Sequence, residues 1–151
     1  MKQALNSLMI LTLCLSGVAC DRKVTVPGGS YEQDGDQVKI QTGDGGSFVA
    51  GGDVKLPEGF PDDIPRPSNT LQMAMKMLQG FNVAFVCKES QSDMFSRLRA
   101  DFKEQGWEET MANQSVNGSV LSFTKGDSRN VTCSIGKNKE QTVVGLVIAQ
   151  R

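Results

Sequence analysis

A chain with no histidine among its 151 residues gives up most of the side-chain chemistry that runs near neutral pH. Ser-His-Asp and Cys-His nucleophiles, histidine zinc sites and the imidazole proton shuttle are all excluded. Carboxylates, hydroxyls, thiols and thioethers remain. Acid–base catalysis needs a nucleophile beside a base, or two carboxylates facing one another across a cleft. Glu89, Asp93, Asp101, Glu104, Glu108 and Glu109 are instead scattered over a helix surface and a strand edge, and Ser90 has a helix cap to make. Asp34, Asp36, Asp44 and Asp53 are hard oxygen ligands, but their spacing matches no calcium loop with alternating ligands and a closing Glu. Met73, Met75 and Met77 could form an adaptable ligand face or a copper(I) thioether site. Without histidine, packing of a strand is the simpler account. The reading is therefore non-enzymatic, with no catalytic, metal or cofactor residue.

Charge excludes a further class. Sixteen basic against 17 acidic side chains leave no clustered positive face for nucleic acid. The first residues say more about location. Met1-Lys2-Gln3 is a short positive start, Leu5 to Leu15 is an apolar run, and Ser16-Gly17-Val18-Ala19 are small residues ahead of Cys20. That is a secretion signal, and its apolar run is shorter than the roughly 20 residues of a membrane span. The segment resembles a bacterial lipoprotein signal, although the Leu usual three places before the cysteine is here Gly17. The resemblance implies that residues 1–19 are removed and that Cys20, carrying lipid, becomes the first mature residue, with the membrane as its partner. Loss of Lys2 leaves 15 basic against 17 acidic side chains, a formal charge of −2. An ordinary cleaved signal ending near Ala19 and an uncleaved anchor are the other readings of the same residues. Asp21 resembles an inner-membrane retention signal, and which membrane holds the chain stays open.

Of the four cysteines, Cys14 falls in the leader and Cys20 at the lipid position. Cys87 and Cys133 are then expected to pair as a disulfide in an oxidising compartment; two buried thiols acting as small hydrophobes are the other reading.

Residues 20–55 read as a tether, because Gly and Asp clusters interrupt apolar fragments too short to hold a core alone. A docked hairpin of Gln37–Thr42 and Ser47–Ala50 is the alternative. Residues 56–67 form an arm that Pro57, Pro61, Pro65 and Pro67 keep extended. Phe60 and Ile64 are placed to pin it to the domain, and Asp62-Asp63 reads as a solvated turn. The phrase Leu56-Pro57-Glu58-Gly59-Phe60-Pro61-Asp62-Asp63-Ile64-Pro65 resembles a segment of bacterial envelope lipoproteins that precedes a small α+β domain. It implies a setting and a fold type, and carries no catalytic residue.

Residues 68–151 carry the continuous signals. Leu71 to Met77 and Phe81 to Cys87 alternate with period two, and Met94, Phe95, Leu98 and Phe102 share one side of a helix ended by Gly106. Four strand candidates with short polar links follow. The expected fold is α+β: a single antiparallel sheet in ββαββββ order, one helix packed on one face, preceded by the tether. The expected role is a lipid-anchored envelope module, facing the periplasm, that contacts another envelope protein or the cell wall. A carrier of a small apolar ligand held between helix and sheet, and a periplasmic inhibitor or immunity protein, are the alternatives.

Overall fold

Period-two alternation of apolar side chains governs this structure. The computed structural model describes residues 22–67 and 70–150, so the leader and Cys20 lie outside the described residues. In chain order the elements are β1 (Arg22–Val26), β2 (Gly29–Asp34), β3 (Gln37–Thr42), β4 (Ser47–Ala50), β5 (Thr70–Met77), β6 (Gly80–Cys87), α1 (Gln91–Glu104), β7 (Glu108–Ser115), β8 (Gly118–Lys125), β9 (Arg129–Asn138) and β10 (Gln141–Gln150). All ten strands join one sheet, in the order β1-β2-β3-β4-β5-β6-β10-β9-β8-β7, and every neighbouring pair is antiparallel. A six-strand meander runs to β6, the helix crosses over, and the chain returns from the far edge until β10 closes beside β6.

One face of this sheet is covered. Phe81, Val83, Phe85 and Cys87 of β6 point to the same side as Val144, Leu146 and Ile148 of β10, and all are buried. The helix lies over that side, burying Met94, Phe95, Leu98 and Phe102. Each such side chain stabilises the fold by on the order of 1.5–3 kcal/mol. The helix begins where Ser90 accepts a hydrogen bond from the Asp93 amide, 3.1 Å away. It ends at Gly106, whose φ of 77° is the left-handed conformation glycine suits. Trp107 then donates its amide to the Phe102 carbonyl and packs edge-on against that ring, centroids 5.8 Å apart.

The expected six-stranded ββαββββ domain on a tether is not the architecture. Residues 22–50 form four strands of the same sheet, extending it beyond β5. The Gly-Asp clusters are the turns between those strands. Gly28 (φ 96°) and Gly35 (φ 54°) each sit in a two-residue link that needs a positive φ. None of the four strands builds a core of its own. Each is held by backbone pairing to the next, and β4 is held by pairing to β5.

The expected Cys87–Cys133 disulfide is also overturned. Cys87 lies opposite Thr142 and Cys133 opposite Leu146 of β10, which runs between β6 and β9. Two strand spacings and four residues along the strand separate them by roughly 16 Å, against the ~7 Å limit for Cα atoms that a disulfide can join. No bridge joins the two.

Candidate interaction face

The covered side is locked by polar contacts as well as by apolar ones. The proline-rich arm runs beside the helix, burying Ile64 and setting Phe60 edge-on to Phe81 at 5.4 Å, and Val54, just ahead of the arm, is buried too. Asp63, which the sequence assigned to a solvated turn, is the arm's main fastening. Its carboxylate accepts two hydrogen bonds from Arg129, at 2.7 and 2.8 Å, and one of 2.9 Å from Lys125. Its backbone carbonyl accepts the Trp107 indole N–H at 3.0 Å, and the Arg129 guanidinium lies over the indole, 4.8 Å from the ring centre. The bidentate bond from Arg129 holds the Asp63 carboxyl well below the usual carboxylate range, outweighing the opposing effect of its burial, and the bond from Lys125 adds to the lowering.

Carboxylates weighed for catalysis or for calcium have structural work of the same kind. Glu109 receives Arg99 at 2.6 Å and Lys103 at 3.3 Å, tying the helix to β7; the hydrogen bond from Arg99 chiefly depresses its pKa. Glu89 pairs with Arg97 at 3.0 Å. Asp93 accepts the Ser90 hydroxyl, and Asp44 accepts both the Thr42 hydroxyl and the Gly46 amide within a turn. Gln91, buried, donates to the Ser115 carbonyl and the Ser119 hydroxyl, fixing the first helical turn to the β7–β8 hairpin. Burial pushes the Cys133 thiol up to about 12, which leaves it protonated and unreactive.

Among the described residues, no helix or arm lies on the opposite face of the sheet. Residues directly opposite one another across paired strands share a face, so the register lets this face be read strand by strand. One row runs Val24, Tyr31, Ile40, Phe48 and Met75 from β1 to β5. It continues as Asn82, Val147, Thr132, Ser122 and Met111 to β7. None of these side chains is buried; Val24 is 43% exposed, Val147 44% and Met111 54%. The three methionines of β5, which the sequence assigned to packing, point out onto this surface.

Charge is segregated between the two faces. Lys23, Glu32, Lys39 and Lys76 all point to the helix side. Among the described strand residues, the uncovered face carries only two charged side chains, Arg22 on β1 and Glu108 on β7, at opposite edges of the sheet. The face also divides by size. The β1–β5 half bears Val, Tyr, Ile, Phe and Met, whereas the other half is mostly small. Val120, Ser134, Gly136, Val143 and Gly145 line a shallow depression of about 510 Å³ there. The patterning that reveals this surface is present in the strands, but it becomes legible only once the pairing partners are known.

Comparison with known protein families, with characterised proteins and with solved structures found no match to this chain. Among the described residues no helix is long and apolar enough to cross a membrane.

Proposed function

We propose that this chain is a non-enzymatic cell-envelope interaction module, anchored through lipid on Cys20 and working through the uncovered face of its sheet. A single observation carries the second half of this reading: a face ten strands wide on which apolar side chains stand exposed and charge is confined to two edge positions. Soluble monomers rarely leave contiguous apolar surface of more than a few hundred Å² open, and larger patches mark binding surfaces. Methionines at its centre suit recognition, since a flexible, polarisable side chain adapts to its partner. The anchor half rests on the leader and on Cys20 alone. The space between helix and sheet is filled by Met94, Leu98, Phe102, Leu121 and Phe123, none more than 1% exposed, which favours the interaction module over a carrier holding a ligand there.

A photo-crosslinking amino acid at Ile40 or Val147, on the open face, should capture a protein in growing cells. The same probe at Glu32 or Lys39, on the helix side, should not. Equal capture from both faces, or capture from neither, would overturn the reading. Cys20→Ser tests the anchor: it should abolish lipid labelling and move the chain to the soluble periplasmic fraction.

A further inference from the structure

We infer that the cradle around Asp63 is a recognition site for an acidic, extended segment of a partner protein, and that the arm fills it as a built-in stand-in. The site lies on the covered side of the sheet and does not depend on the reading of the open face.

The body of the protein assembles this cradle from parts that the arm does not hold in place. Trp107 is fixed by the bond from its amide to the Phe102 carbonyl and by contact with that ring. Lys125 donates to the Gln105 carbonyl at 2.8 Å, and the Arg129 guanidinium rests over the indole. Two cations and an indole N–H therefore converge on one place, as donors to a carboxylate and to the peptide carbonyl beside it. Asp63 does not satisfy all of them. It meets Arg129 end-on, through Nη1 and Nη2, while Nε is buried without a hydrogen-bond partner among the described residues. A buried donor left without an acceptor is costly and rare in a folded chain. Lys125 and Arg129 also share this one carboxylate. A ligand that approaches the guanidinium side-on, or brings a second acidic group, satisfies what the arm leaves open.

The arm itself is attached as a peptide ligand is. Its four prolines keep it extended and remove backbone donors. Among the described residues, the backbone hydrogen bonds of residues 56–67 are two local turns, from the Phe60 amide to Pro57 and from the Ile64 amide to Pro61, and the one that Trp107 donates to Asp63. Side chains do the rest, with Ile64 buried and Phe60 set against Phe81. Proline-rich segments laid on aromatic-lined grooves are a recurring mode of peptide recognition. The occupant shows the chemistry required: an extended chain carrying a carboxylate and, next to it, a large aliphatic side chain for the seat of Ile64. Replacing like with like leaves one barrier, the tethering of the arm, which gives it an effective concentration on the order of millimolar.

A dansyl-labelled peptide of residues 56–67, added to the full chain in detergent, supplies the test. It should bind the wild type weakly, in competition with the tethered arm, and bind Asp63→Asn roughly tenfold tighter or more, because that substitution loosens the arm and leaves the cradle intact. The same peptide with Asn at the position of Asp63 should bind that variant roughly tenfold more weakly or worse. A second measurement needs no variant. Trp107 is the one tryptophan of the chain, so energy transfer from it to the dansyl group should appear as the acidic peptide is titrated into the wild type, and stay absent with the Asn peptide. Equal affinity of wild type and folded Asp63→Asn, equal binding of the two peptides, or binding without energy transfer overturns the proposal. So does self-association of Asp63→Asn, which would make the arm of a second copy the occupant in place of a partner's segment.

Discussion

Asp63 shows how much one side chain can decide. Three charge-assisted hydrogen bonds from Arg129 and Lys125 converge on its carboxylate, and both cations lie beside Trp107. Asp63→Asn keeps the volume and removes the charge, leaving Arg129 without its bidentate partner; the expected loss is roughly 1.5–3 kcal/mol in denaturant unfolding. The pH dependence has a fixed sign. Because the folded-state pKa is depressed, the stabilisation is fully present above the unfolded carboxylate value of about 3.9 and is lost as pH falls through the folded-state value. Wild-type stability should therefore decline more steeply below about pH 4 than that of Asp63→Asn; parallel declines would show that the clamp contributes nothing. Cys133 makes the opposite point, since its chemistry is switched off by burial. It should resist alkylation in the folded chain and react after denaturation without a reductant, and a requirement for reductant would restore a disulfide at this position.

At the scale of elements, what was legible in the sequence is what is locally encoded. The helix declares itself through the Ser90 cap, the apolar spacing from Met94 to Phe102 and the Gly106 stop, all within a few residues of one another. β1 to β4 do not, because their stability comes from the neighbouring strand rather than from side chains they bury. β1 is exposed along its whole length, and a fragment of that kind reads as coil until its partner is known. Long-range pairing hid the rest. Arg129 lies 66 residues from Asp63, and no periodicity shows that β10 separates the two cysteines. Methionines alternating along β5 announce a strand, but the side they occupy follows from where the helix lands. The four early strands can be tested directly. Deleting residues 21–53 strips β5 of its neighbour and uncovers Val49's packing site on the core. A melting temperature lower by more than about 5 °C is expected, and an unchanged one would return residues 22–50 to the status of a tether.

For the whole molecule, the position of β1 changes how far the chain can stand from a membrane. A flexible segment of residues 20–55 would lift a domain well clear of the bilayer. With β1 beginning at Arg22, only Asp21 separates the proposed lipid on Cys20 from the edge of the sheet, a reach of about 7 Å.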